Sequence, residues 1–170
     1  MDKTEKGKII EQLRQRIGVV LEPMLYEVER GAIRRFAEAV EDNNPLYWDD
    51  EYARTTRYGG VIAPPGFFGL PTGEVPGSGM DPDMGIQLAP LANALPGMID
   101  IMQTGVNGGT EIEFFQPVRP GDILLTYYKL VDITEKEGKL GPMVLFTFEQ
   151  IFKNRIGRVV AVVRNTLITY

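Results

Sequence analysis

The spacing of hydrophobic and polar positions changes character along the chain. From Lys3 to Arg16, Ile10, Leu13 and Ile17 recur at helical spacing among charges, which predicts a short helix lying as a lid over a sheet edge. Val19 to Val28 alternates loosely and contains Pro23, the pattern of an edge strand. Arg30 to Glu41 is a clearer helix, with Ile33, Phe36, Ala37 and Val40 on one face and Arg34, Arg35 and Glu38 toward water. Asn43-Asn44-Pro45 ends it, because the residue before a proline is pushed out of the α region. Leu46 to Tyr52 predicts one more turn, with Asp49, Asp50 and Glu51 near its start, where the helix dipole favours acids. Gly59 to Leu70 is apolar but irregular. Pro71 to Pro96 has no period at all, and four prolines from Pro71 to Pro90 forbid a long helix there.

Beyond this stretch the period falls to two. Thr110 to Phe114 alternates, with Ile112 and Phe114 on one face and Glu111 and Glu113 on the other. Pro117 to Asp122 is a turn. Ile123 to Ile133 is a strand of mixed faces, and Glu135-Lys136-Glu137-Gly138 reads as a hairpin turn. Met143 to Phe152 follows with Val144, Phe146, Phe148 and Phe152 on one side. Asn154 to Gly157 turns again, and Arg158 to Thr169 is a long strand. The last three strands predict an antiparallel meander. Helices first and strands afterwards give an α+β pattern, a curved sheet packed on one side against a helix.

Composition narrows the chemistry. A chain of 170 residues is expected to form one domain with a sizeable core. The net charge of -5 argues against nucleic acid as a partner, since phosphate binding needs a concentrated basic face. There is no cysteine, so thiolate chemistry and disulfides are excluded. There is also no histidine, which removes the commonest general acid/base near neutral pH and the commonest zinc ligand. The charged start MDKTEKGK is not a signal peptide, and no apolar run is long enough to span a bilayer, so the expectation is a cytoplasmic protein with no membrane partner. Neither a cofactor nor a metal is expected.

The stretch from Phe36 to Phe68 concentrates the candidate chemistry. Asp42-Asn43-Asn44-Pro45-Leu46-Tyr47 resembles the Asp-x-Asn-Pro-x-His signature of the MaoC-like (R)-specific enoyl-CoA hydratases. Ala63-Pro64-Pro65-Gly66 stands where that family has a turn beginning Ala-His-Gly. Gly108 to Phe114, then Pro117-Val118-Arg119-Pro120-Gly121-Asp122, resembles the family's later strand and turn. The resemblance runs from about Tyr26 to Tyr170. It implies a hotdog fold: a curved antiparallel sheet around a central helix, dimerising so that sites form between two hotdogs. Two departures stand out. Tyr47 replaces the signature's His, and Glu41 replaces the glycine before the Asp. This variant resembles the N-terminal, FAS1-like half of MaoC dehydratases, which is generally the substrate-binding partner of a hotdog with intact Asp and His. The resemblance therefore implies a subunit rather than a self-sufficient enzyme.

On this reading the degenerate catalytic positions are Asp42 and Asn44, and the substrate-binding positions are Tyr47, Tyr58, Gly59, Gly60, Ala63, Pro64, Pro65 and Gly66. A tyrosine with a reference pKa of about 10 is a poor base at pH 7, so the chain alone should be slower by the general-base contribution, roughly 10²–10⁴-fold. Structural alternatives stand beside each assignment. Asp42 and Asn44 fit local turn-stabilising hydrogen bonds, Tyr47 and Trp48 fit core aromatics, and Tyr58-Gly59-Gly60 fits a simple turn. If functional, the glycine pair lets a thioester or pantetheine approach the backbone. Arg54, Arg57 and Arg119 are candidates for coenzyme A phosphates. The Gly/Pro-rich segment from Pro64 to Pro96 would break or displace the central helix, leaving a tunnel for a bulky acyl group, or would be a surface loop over a dimer interface. The partners implied are an acyl-CoA or other acyl-thioester and a second MaoC-like subunit or a second copy, as dimer or heterotetramer. Two rivals remain: a non-catalytic acyl-CoA-binding hotdog homodimer, and a hotdog thioesterase using Asp42, Asp49, Asp50 or Glu51 to activate water.

Overall fold

A computed structural model describes residues 3–71, 95–102, 105–138 and 141–170. Within them the elements run α1 (Lys3–Arg14), β1 (Met24–Glu27), α2 (Arg30–Ala39), a 3₁₀ turn (Pro45–Tyr47), α3 (Asp50–Thr55), β2 (Leu70–Pro71), α4 (Met98–Met102), β3 (Val106–Phe114), β4 (Ile123–Gly138), β5 (Gly141–Asn154) and β6 (Val159–Thr169). The strands make one six-stranded sheet in the order β2-β1-β4-β5-β6-β3, antiparallel at every pairing. The expected meander is β4-β5-β6.

Several local expectations are corrected by this sheet. β1 is not the edge strand: Tyr26 and Glu27 pair with Pro71 and Leu70 of β2, whose two residues cover only part of it. Glu135 to Gly138 is not a turn but continues β4, paired residue by residue with Val144 to Gly141. The mixed faces of β4 have a physical cause. A bulge between Leu130 and Asp132 inserts one residue and resets the alternation, so that Leu124, Thr126, Tyr128 and Leu130 share a face with Ile133. The broken or displaced central helix, and the tunnel that would follow from it, fall mostly on residues 72–94 and lie outside the described residues.

One face of the sheet carries the core, in two clusters. The first joins Ala32, Ile33 and Ala37 of α2 to Tyr47, Ile62, Ala63, Phe67 and Phe68, and to Leu124, Phe152, Ala161 and Val163 of the sheet. Phe68 stacks on Phe152 with ring centroids 4.2 Å apart. The second joins Ile10 and Leu13 of α1 to Leu95, to Met98 and Ile101 of α4, and to Leu130, Ile133, Phe146 and Leu167. Arg14 fastens α1 to β4 by donating to the Ile133 carbonyl at 3.0 Å and to Glu135 at 2.8 Å. Ile17 lies past the end of this helix and is exposed. Between the clusters the hydroxyls of Tyr26 and Tyr128 stand 3.1 Å apart, and the Gln150 amide donates to Tyr128. Burial raises the pKa of both phenols.

On the opposite face, Glu149 is nearly buried and is clasped by Lys129 from β4 and Arg164 from β6. Strand β3 forms the far edge of the sheet, and every one of its nine residues is exposed. It reaches the core only at its end, where Phe114 stacks over Phe68 at 6.0 Å.

Candidate functional site

The site is built at the C-terminal end of α2. Helix α2 stops because Glu41 takes a left-handed conformation with φ 57°, the one non-glycine residue at positive φ among the described residues. The Glu41 N–H then bonds the Glu38 carbonyl at 3.2 Å, and the Asp42 N–H bonds the Ala37 carbonyl at 2.9 Å. This is the Schellman arrangement, which normally takes glycine at the left-handed position. It gives a physical reason for the glycine that Glu41 replaces.

From there each polar side chain shapes the next step of backbone. Asp42 Oδ1 accepts from the Asn44 N–H at 3.1 Å, and Asn44 Oδ1 accepts from the Leu46 N–H at 3.1 Å. Asn44 thereby caps the 3₁₀ turn, with Pro45 at its first position. Asp49 caps α3 by accepting from the Glu51 and Tyr52 N–H groups. The acids expected at the start of one turn instead open this second helix. Arg30 ties α3 to α2 through paired bonds to Asp50 at 3.0 and 2.8 Å, which holds the Asp50 carboxyl below its usual range.

Tyr47 is buried, as a core aromatic would be, while Trp48 is 48% exposed and is not in the core. The Tyr47 phenol sits among Asp42, Asn44 and Tyr58. Its pKa is raised, first by burial and next by the Asp42 charge, while a hydrogen bond with Asn44 opposes the rise. The group is therefore a neutral hydroxyl at pH 7, able to donate or accept a hydrogen bond but not to act as a base.

Two further segments close around it. Ala63 donates its N–H to the Val118 carbonyl at 2.8 Å, and Phe67 donates to the Pro64 carbonyl at 3.1 Å. The second bond closes a turn over Pro65-Gly66, with Gly66 at φ 92°, which is why proline and glycine stand in that order. Ala63 and Pro64 are buried, and Pro65 and Gly66 are exposed. Gly59 is also left-handed, at φ 66°, and has open space on its Cβ side. The glycine pair thus makes a turn that is open at Gly59, while the Arg119 guanidinium lies 3.7 Å from where a side chain at Gly60 would begin.

The three arginines have different situations. Arg119 donates to the Tyr58 carbonyl at 2.6 Å, a role that sequence spacing did not suggest. Its own turn is fixed by Asp122, which accepts from the Arg119 N–H at 2.8 Å, and by Gly121, which donates to Val28. Arg57 lies over the Tyr58 ring at 4.8 Å and donates to its hydroxyl. Arg54 is exposed on α3, near Asp50. Asp42, Asn44, Tyr47 and Tyr58 are therefore brought together, with Arg57 and Arg119 at the Tyr58 side. Asp42 and Asn43 also border a shallow groove of about 230 Å³ with Arg34, Ala37, Glu38 and Trp48. Among the described residues no group of three or more acidic side chains is placed to hold a metal, and no helix is long and apolar enough to cross a membrane.

An antiparallel sheet with its helices gathered on one face, and a polar loop site at the exit of α2, defines a hotdog protein of the MaoC-like dehydratase class. The family model described as FAS1-like, dehydratase domain region, matches residues 15–163, and the chain belongs to that family. Among curated relatives it is 38% identical over 100 residues to a UPF0336 protein of Streptomyces avermitilis, covering 58% of this chain and 57% of the relative. It is 28% identical over 144 residues to a protein of Thermomonospora curvata named as a probable enoyl-CoA hydratase alpha subunit, covering 81% of this chain and 43% of that one. Among solved structures, the ChsH1-ChsH2 complex of Mycobacterium tuberculosis contains a chain that superposes with a TM-score of 0.74 at 19% identity, over 99% of this chain and 93% of that one.

Proposed function

We propose that this chain is the substrate-binding subunit of a two-subunit (R)-specific enoyl-thioester hydratase or dehydratase, a single hotdog unit that pairs with a second hotdog bearing the catalytic His. One observation carries this reading. The loop that resembles the family's acid/base motif gathers Asp42, Asn44 and the residue at position 47 by its own hydrogen bonds, yet it presents a neutral phenol where proton transfer needs an imidazole.

Hydration of an enoyl-thioester needs a base to activate water and an acid to protonate the alpha carbon. Neither task suits a phenol whose pKa is raised. Holding the acyl-thioester does suit the site. Tyr47 and Tyr58 offer hydroxyls, the turns at Gly59 and Gly66 offer open backbone, and Arg57 and Arg119 offer positive charge toward an anionic carrier such as coenzyme A. The Thermomonospora relative named as a hydratase subunit and the two-component ChsH1-ChsH2 neighbour support the division of labour.

The test is hydration of crotonyl-CoA and longer enoyl-CoA substrates, followed by loss of the conjugated thioester absorbance. The purified chain alone is expected to give no turnover above background, and addition of a His-bearing hotdog partner from the same organism is expected to restore it. Brisk hydration by the lone chain would overturn the reading.

A further inference from the structure

A row of polar side chains crosses the inner face of the sheet where the two core clusters meet. Thr126 and Tyr128 come from β4, Tyr26 from β1 and Gln150 from β5. Tyr26 lies opposite Leu124, two residues before Thr126, and Tyr128 stands two residues after it. The phenols therefore bracket Thr126 along the strand, and their hydroxyls meet at 3.1 Å. The Gln150 amide donates to the Tyr128 oxygen. On the neighbouring strands Thr126 faces Met24 and Phe152, whose side chains offer its hydroxyl no oxygen or nitrogen.

The hydrogen bonds of this row do not balance. Tyrosines aside, the buried polar or charged residues among those described are Thr126, Glu149 and Thr169. Glu149 is held by Lys129 and Arg164, and the Thr169 hydroxyl donates to the Val144 carbonyl at 3.5 Å. Thr126 is fully buried, yet its hydroxyl has no partner among the described residues. The two phenols carry two protons and their mutual contact uses one, since Gln150 supplies its own. A hydroxyl buried without a partner disfavours folding, whereas valine would fill nearly the same shape without that penalty. The penalty is recovered when a ligand supplies the missing partner.

We propose that Thr126, Tyr26 and Tyr128 form a subsite for a keto or hydroxyl oxygen carried by the acyl group of the bound thioester, apart from the thioester carbonyl itself. Tyr26 belongs to the same buried cluster as Tyr47, and Tyr128 packs against the second cluster. A thioester held at Tyr47 has its acyl group leading into the first cluster, and this row is the polar boundary between that cluster and the next. Two unspent O–H groups suit an oxygen with two lone pairs, while a plain hydrocarbon leaves both unpaired. This rests on the substrate-binding reading above and adds a substrate class, acyl groups that carry oxygen.

The test compares dodecanoyl-CoA with oxo- and hydroxydodecanoyl-CoAs whose oxygen is stepped along the chain, each titrated calorimetrically into the purified protein. At least one oxygenated isomer is expected to bind about 2- to 10-fold more tightly than dodecanoyl-CoA, the worth of one neutral hydrogen bond. Thr126→Val is expected to erase that preference, to bind dodecanoyl-CoA no more weakly and to melt no lower than wild type, because only an unpaired hydroxyl is lost. Thr126→Ser is expected to retain the preference. Dodecanoyl-CoA binding as tightly as every oxygenated isomer, or a preference untouched by Thr126→Val, overturns the proposal. So does a lower melting temperature for Thr126→Val, which would show the hydroxyl bonded within the folded protein or to a fixed water. Binding of no acyl-CoA at all defeats the substrate-binding reading and this inference with it. Failure of a His-bearing subunit to restore turnover defeats the hydratase reading alone and leaves the binding preference standing.

Discussion

Arg119 donates to the backbone carbonyl of Tyr58 at 2.6 Å, joining two loops 61 residues apart in sequence. This part-buried, charge-assisted bond holds the turn after β3 against the turn after α3, on the Tyr58 side of the phenol cluster. Arg119→Ala is expected to lower stability by about 1.5–3 kcal/mol, the range for hydrogen bonds to charged groups. The loss should be visible as a lower urea midpoint with an unchanged slope. Arg119→Lys should recover less than half, because a point-charge ammonium does not reproduce the planar fork.

Glu41 is the mirror case, a residue in a position made for glycine. A left-handed conformation costs an L-residue roughly 1–2 kcal/mol, part of which returns when glycine's greater freedom in the unfolded chain is counted. Glu41→Gly should therefore stabilise the fold by about 0.5–1 kcal/mol, read as a rise in melting temperature. Glu41→Val should lower it, since a β-branched residue fits the left-handed region worse still.

Tyr47→Phe tests the assignment of the phenol to binding. If the proposed two-subunit enzyme assembles, the change is expected to raise KM by about 2- to 10-fold, the worth of one neutral hydrogen bond, with kcat nearly unchanged. On the same proposal, removing the catalytic His of the proposed partner would instead lower kcat by roughly 10²–10⁴-fold. Steady-state kinetics on the reconstituted complex separates the two.

Glu149 sets the acid limit of stability. The Lys129 hydrogen bond, then that from Arg164, holds its carboxyl below the usual glutamate range. A folded-state pKa below the unfolded one gives stability that is present above the unfolded value, about 4.3, and is lost as pH falls through the folded value. Glu149→Gln should cost about 1–2 kcal/mol at pH 7, because Lys129 and Arg164, with side chains 29 and 49% exposed, can rehydrate once released. The variant and wild-type curves should begin to approach each other below about pH 4 and meet only below the lowered folded value. Tyr26 and Tyr128 act at the other limit. Their raised pKa values favour the neutral phenols of the folded state, so stability should fall as pH rises above about 10.

Local chemistry was legible in the sequence wherever it is decided by neighbours in the chain. The α2 face with Ile33 and Ala37 follows from spacing alone, as do the meander and the Asp42-Asn44 turn. What escaped depends on pairing across the sheet. β1 looks like an edge because Pro23 precedes it, and only the placement of Leu70 and Pro71 alongside shows otherwise. Val40 keeps the helical period but stands past the last turn of α2, and is exposed. The clasp on Glu149 draws residues from β4, β5 and β6, so no window of sequence contains it. Arg119 reads as a surface cation until the loop holding Tyr58 is set beside it.

The extra residue near Leu130 has a wider consequence. By absorbing one position it keeps one face of a single long strand on the core, with Leu124 to Leu130 on even numbers and Ile133, which joins Leu130 in the second cluster, on odd. Removing Val131 would leave Asp132 opposite Thr147 and Ile133 opposite Phe146, so the deletion would straighten the strand without turning either side chain over. Chains that share this sheet but lack the insertion must therefore carry one unbroken alternation through this strand, so it is parity rather than greasiness by which they can be told apart.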